Sequence, residues 1–105
     1  MPTFLLTYRA PKDYTAGGPD TMAAWGTYFT ELGSRLVDPG NPVFARTTLG
    51  DCGTDLAPLG GYSIVTADDL EAAVDLARGC PILTVAGGVE VGVITELDPT
   101  SLGAN

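Results

Sequence analysis

Histidine is missing altogether from these 105 residues, which removes the usual neutral-pH general base and the commonest metal ligand. Cations are scarce: five basic residues stand against thirteen acidic ones, for a net charge of −8, and Lys12 is the only lysine. Charge of that sign repels phosphate backbones, so no nucleic-acid partner is expected. Two cysteines, Cys52 and Cys80, are too few for a disulfide-dense scaffold, and a reducing compartment keeps isolated thiols free. No stretch approaches the ~18 uninterrupted apolar residues of a transmembrane helix. The start, Met1 to Arg9, lacks the basic opening and long apolar run of a signal peptide. A cytoplasmic protein without membrane contact is the expectation. What remains is sufficient for a core: 45% of the residues are hydrophobic, and a chain of this length buries about 65% of its unfolded surface. One domain over residues 1–105 is expected, with its core over about 4–97 and a loose tail over 98–105.

Periodicity supplies the elements. Thr3 to Arg9 alternates Phe4, Leu6 and Tyr8 with Thr3, Leu5 and Thr7, the period of a strand with one strongly apolar face. Ala10 to Pro19 reads as a loop. A helix is expected from Asp20 or Thr21, either able to cap it, with an apolar stripe of Met22, Trp25, Phe29, Leu32 and Leu36. Gly33 weakens its last turn, and Asp38-Pro39-Gly40-Asn41-Pro42 ends it. Val43 to Leu49, rich in β-branched residues, reads as a second strand. Gly60 to Val65 reads as a third, with Tyr62 and Ile64 on its buried face. Thr66 to Asp69 has capping-box spacing, and Leu70, Ala73, Val74 and Ala77 form the buried side of a second helix. Arg78-Gly79 and Pro81 close that helix. Val89, Val91, Val93 and Thr95 then alternate along a last strand.

The order strand, helix, strand, strand, helix, strand, with right-handed crossovers, predicts an α+β, ferredoxin-like βαββαβ fold. Its four-stranded antiparallel sheet carries both helices on one face. Phe4, Leu6, Tyr8, Tyr62, Ile64, Val89, Val91 and Val93 would lie under the helices. Leu5, Val65 and Ile94, mixed with Thr3, Thr7, Ser63 and Gly92, would form the opposite face. An antiparallel sheet can leave one face wet, but a face this mixed suits packing against a second copy, with a semi-polar cavity between. A homodimer through the sheet face is the expectation.

Several stretches together resemble the YCII-related (DGPF-type) domain family. They are Met22-Ala23-Ala24-Trp25, Glu31-Leu32-Gly33, Leu59-Gly60-Gly61-Tyr62-Ser63-Ile64-Val65, Gly79-Cys80-Pro81 and Gly88-Val89-Glu90-Val91. The resemblance runs from about Phe4 to Leu97 and rests on the ordered set rather than on one motif. It implies a dimeric α/β-barrel in which two ferredoxin-like sheets face each other. Some members of the family resemble enzymes and carry a His–Asp pair, the His early in the first helix and the Asp just before a proline after the second. Those positions fall on Met22 and Cys80 here, so the pair is absent. The Asp-Gly-Pro-Phe signature is absent too, the nearest stretch being the turn Asp38-Pro39-Gly40.

A few individual residues carry candidate chemistry. Cys80, just past the second helix, meets the negative end of its dipole, which raises a thiol pKa, and without a neighbouring His a nucleophilic role is weak. It reads as structural or pocket-lining. Cys52 sits in the Asp51–Asp55 loop, whose carboxylates disfavour a thiolate; that loop lacks the alternation of a calcium site. A zinc site needs His or clustered thiolates, so no metal is expected, and no cofactor is implied. Gly60-Gly61 and Gly87-Gly88 precede strands rather than helices and read as turn or close-packing glycines. Trp25 is either core, pocket wall or a stacking platform. Arg9 and Arg46, among so few cations, can orient a carboxylate through paired donors or simply pair with surface acids. Tyr8 and Tyr62 bring hydroxyls to an apolar wall, as small-ligand pockets do.

The first reading is a small-ligand-binding homodimer with candidate binding residues Tyr8, Arg9, Met22, Trp25, Arg46, Tyr62 and Cys80. Its pocket would lie between sheet and helices near Tyr8, Trp25, Tyr62 and Cys80. An alternative is an enzyme of isomerase, lyase or hydrolase type whose acid–base work falls to a carboxylate or tyrosine of shifted pKa. A third is an accessory protein whose acidic surface binds a protein partner.

Overall fold

The computed structural model of the chain describes residues 1–11, 19–52 and 58–97. Its elements are β1 (Thr3–Arg9), α1 (Pro19–Leu32), β2 (Leu36–Asp38), β3 (Leu59–Thr66), α2 (Leu70–Ala77) and β4 (Gly88–Val93). A 3₁₀ turn follows each helix, at Gly33–Arg35 and at Pro81–Val85. The sheet order is β2-β3-β1-β4, with every neighbouring pair antiparallel. This is an α+β chain with an open four-stranded sheet and two helices, in the strand order of a ferredoxin-like fold. Lys12, Asp55, the stretch over 12–18 and the tail over 98–105 lie outside the described residues.

β1 forms the centre as its alternation requires. Phe4, Leu6 and Tyr8 are buried while Thr3, Leu5 and Thr7 are half-buried. Tyr28 and Leu32 from α1 and Ala73 and Ala77 from α2 join Phe4, Leu6, Tyr8 and Val65 in one core, so both helices lie on the same face of the sheet. Each fully enclosed apolar side chain of this set contributes roughly 1.5–3 kcal/mol. Val89 and Val91 of β4 pack against that core as expected, while Val93 stays exposed.

β3 presents the other set of side chains than its sequence suggests. Its register with β1 places Val65 beside Phe4 and Ser63 beside Leu6, so Ser63 and Val65 are buried and Tyr62 and Ile64 face the open side. Both alternating sets of this strand mix apolar with polar or small residues, so periodicity alone does not choose between them. Two local fits decide it. The Ser63 hydroxyl is satisfied by the Pro39 carbonyl at 2.6 Å, and Gly61, opposite Tyr8, leaves room where a Cβ would sit 3.1 Å from the Asn41 carbonyl.

The second strand also moves. Val43–Leu49 is not a strand; β2 is Leu36–Asp38, continued after a bulge by a bridge between Pro42 and Gly61 and by Val43 N–H donating to Gly60. That register sets Phe44 opposite Leu59, where β3 begins, so residues beyond it have no strand to pair with. Phe44 and Leu49 are accordingly 66% and 88% exposed. Gly40 turns the chain between the end of β2 and the Pro42 bridge. It has φ +72°, its N–H donates to Asp38 Oδ1 at 2.8 Å, and a Cβ there would run into the Tyr62 carbonyl.

α1 begins at Pro19, where a missing N–H breaks no intrahelical bond. It stops at Leu32 because Gly33 turns left-handed at φ +56°. Leu36 therefore belongs to β2. The buried stripe is Trp25, Tyr28, Leu32 rather than one beginning at Met22, which is 65% exposed. Tyr28 can bury its ring because its hydroxyl donates to the Leu76 carbonyl of α2 at 3.0 Å. The N-cap of α2 is Asp69, whose carboxylate accepts from Ala72 N–H at 2.8 Å, and not Thr66, whose hydroxyl donates to Pro2. Leu70 is exposed, while Ala73 and Ala77 let the helix approach the sheet closely. Gly79 is not among the left-handed residues; the chain instead leaves α2 through Cys80 into the 3₁₀ turn opened by Pro81. β4 ends at Val93, two residues before Thr95, although Ile94 N–H still donates to Thr3.

Candidate functional site

The seven candidate residues divide among separate regions. Tyr8, Trp25 and Cys80 gather on the helix-covered face. Tyr8 and Trp25 meet edge to face, with ring centroids 4.7 Å apart at 69°, and Trp25 leans further on Tyr28 and Phe29 at 6.1 and 5.6 Å. Cys80 is 1% exposed and belongs to the same core. Tyr62 and Arg9 lie on the opposite face of the sheet. The Arg9 guanidinium pairs there with Glu90 at 3.7 Å, and Thr7 donates to the same carboxylate at 3.3 Å. The Tyr62 hydroxyl accepts from the Asn41 side chain at 3.4 Å. Met22 faces solvent, and Arg46 donates to the Phe44 carbonyl at 2.9 Å in the exposed stretch after β2. A pocket uniting Tyr62 with Tyr8, Trp25 and Cys80 does not form, because the sheet lies between them.

Burial governs the chemistry of the protic cluster. Desolvation lifts the Tyr8 phenol from 10.0 to about 12; Ser63 nearby softens the rise and Cys80 adds to it. Tyr28 is raised further, first by burial and then by Tyr8 and Cys80. The Cys80 thiol is pushed from 9.0 to about 11 by burial, opposed by the Ile82 backbone N–H. The rise expected at Cys80 is found, with desolvation as its main cause. The 6% exposed Tyr8 is the unsatisfied member. Ser63 gives its hydrogen to Pro39, and no well-formed hydrogen bond reaches Tyr8 Oη. An orphaned buried hydroxyl costs roughly 1–3 kcal/mol.

Of the seven, Trp25 also lines a groove. A half-open groove of about 160 Å³ lies between the start of α1 and the 3₁₀ turn after α2, lined by Asp20, Thr21, Ala24, Trp25, Pro81, Thr84 and Val85. Met22 and Cys80 do not line it, although each is next in the chain to a residue that does, Thr21 and Pro81. A larger groove of about 260 Å³ at the other end of α2, bordered by Met1, Arg35, Asp68 and Asp75, touches none of the candidates. Asp20, Thr21, Thr84 and Val85 carry no pattern in the sequence that marks them, since the groove joins segments some sixty residues apart in the chain.

The glycine readings resolve individually. A Cβ on Gly87 would collide with Ile82 and with the Arg9 carbonyl at 2.7 Å, so Gly87 is a close-packing glycine. Cys52 is exposed and donates weakly to the Leu49 carbonyl; both cysteines are free. Among the described residues, no three His, Cys, Asp or Glu side chains gather to hold a metal. No helix there is long and apolar enough to cross a membrane.

No family model, curated protein or solved structure matches the chain.

Proposed function

We propose that the chain is a YCII-related domain protein acting as a small-ligand-binding homodimer, its two open sheet faces turned toward each other. The ferredoxin-like strand order supports the family reading. The open face supports the dimer: Leu5, Tyr62 and Ile64 sit there half-buried among Thr3, Thr7 and Thr66, a mixed surface suited to pairing with its own copy. The observation that carries the ligand reading is the groove walled by Trp25 and Pro81, whose lining includes chain neighbours of the positions that correspond to the family's site.

The protonation states favour binding over turnover. With pKa values raised to about 12 and about 11, Tyr8 and Cys80 are neutral donors near pH 7, not a base and a thiolate. The enzymatic alternative needs a group that ionises close to neutral pH, and the tyrosine shift runs the opposite way.

Sedimentation equilibrium tests the assembly, with a mass of two chains expected; a monomer at tens of micromolar overturns the dimer. Ligand-observed NMR with a library of small fragments tests the groove. Binding fragments are expected to lose their signal changes in Val85→Arg, which fills the groove from a partly exposed position. Binding unaltered by that substitution overturns the placement of the site.

A further inference from the structure

Resting on the ligand-binding reading of the Trp25 groove, we infer that this groove selects small organic cations, ammonium or quaternary ammonium groups on a compact body. Among the described residues its lining supplies one aromatic ring, one carboxylate, two threonines, three small apolar residues and neither Lys nor Arg. An aromatic face attracts a cation through its quadrupole, by about 0.5–1 kcal/mol where solvent reaches the site. Asp20 adds a full negative charge. The groove lies at the start of α1, whose dipole end carries only about half a positive charge, so the carboxylate outweighs it and the local field remains negative. The chain as a whole reinforces this with a net charge of −8, which concentrates cations and repels anions.

The polar partners in the lining fit the same ligand. Thr84 already donates its hydroxyl to the Pro81 carbonyl at 2.7 Å, so its oxygen is left to accept from an ammonium or hydroxyl group. Size narrows the class. A volume near 160 Å³ is close to that of a cavity of about 150 Å³ that admits benzene, so the occupant is about the size of tetramethylammonium or choline. Because the groove is half-open, binding is expected to be weak.

Trp25 is the sole tryptophan, so its fluorescence reports occupancy directly. The experiment titrates full-length protein with choline, with its neutral isostere 3,3-dimethyl-1-butanol and with the anion 3,3-dimethylbutyrate, in wild type and in Asp20→Lys. Choline is expected to change Trp25 emission with at least about twofold higher affinity than the alcohol, and the anion to have no effect. In Asp20→Lys the preference for choline should vanish, while an unchanged circular dichroism spectrum and thermal melt show that the variant is folded. Equal affinity for choline and the alcohol overturns the cation assignment and leaves a ligand groove at Trp25 standing. A choline preference that survives Asp20→Lys also overturns it, since the charge being read then lies elsewhere. Emission unmoved by any of the three overturns both the cation assignment and the groove reading beneath it.

Discussion

Replacing Tyr8 by phenylalanine removes a single oxygen from the middle of the core, and the effect on stability should be positive. Tyr8 Oη is buried without a hydrogen-bond partner, so the folded state bears the roughly 1–3 kcal/mol that an unsatisfied buried hydroxyl costs. The ring itself stays, together with its edge-to-face contact to Trp25. We expect Tyr8→Phe to raise the unfolding free energy by about 1 kcal/mol, since relaxation recovers part of the penalty in the wild type. In a domain of this size that raises Tm by roughly 4–8 °C. Tyr28→Phe is the internal control with the opposite sign. Its hydroxyl donates to the Leu76 carbonyl at 3.0 Å, and losing that bond should lower stability by about 1 kcal/mol. Urea denaturation followed by circular dichroism measures both, with comparable m-values showing that the same surface is exposed on unfolding. A loss of 1 kcal/mol or more in Tyr8→Phe would refute the reasoning, because the hydroxyl would then be satisfied in solution.

Four further outcomes rest on the same geometry. Gly40→Ala should destabilise by more than about 1 kcal/mol, since its φ of +72° and the Tyr62 carbonyl both exclude a side chain. Gly26→Ala, on an open stretch of α1, should stabilise by about 0.5–1 kcal/mol; thermal melts compare the two, and equal shifts would contradict the backbone description. A thiol reagent at neutral pH should modify Cys52 promptly and Cys80 only once the chain unfolds, one thiol and then two by absorbance; immediate reaction of both would contradict the burial of Cys80. Alkaline pH should unfold the chain in a set window. Above pH 9 the unfolded state sheds the Cys80 proton while the folded state holds it to about 11, and Tyr8 extends the same imbalance from 10 to about 12. The unfolded state then binds fewer protons, so stability is intact below pH 9 and falls as pH rises. Cys80→Ala should flatten the lower part of that decline in chemical denaturation, and an unchanged slope would count against the shift.

Where one set of alternate residues is plainly more apolar than the other, the sequence was readable. β1 and the half-buried Val89 and Val91 of β4 follow from period two alone, and the two alanines of α2 from helical spacing. β3 was not, because Tyr62 and Ile64 make as apolar a set as Ser63 and Val65, and the choice falls to partners over twenty residues away, the Pro39 carbonyl and the fit of Gly61 against Tyr8. β2 is illegible for a different reason: Val43–Leu49 has strand composition but meets the end of β3, and no local propensity reports where a partner stops. Tyr28 lies off the stripe that begins at Met22, and the Leu76 carbonyl that receives its hydroxyl is 48 residues away in the chain. The site was legible to the extent of Trp25. Its other walls come from the start of one helix and the turn after the other, which only the folded chain brings side by side.

β4 forms one margin of the sheet, with β1 on a single side of it. Because Ile94 N–H points to Thr3, the amides of Gly92 and Glu90 point inward with it, and those of Val89, Val91 and Val93 are directed outward. Gly-Val-Glu-Val-Gly-Val holds no proline or lysine to discourage a visiting strand. Glu90 is the lone guard along this seam, and it is shared with Arg9 and Thr7. Removing the one charge of β4, as in Glu90→Gln, would leave this border with nothing to repel a visitor, so that variant should be more prone to strand-on-strand sticking than the wild type.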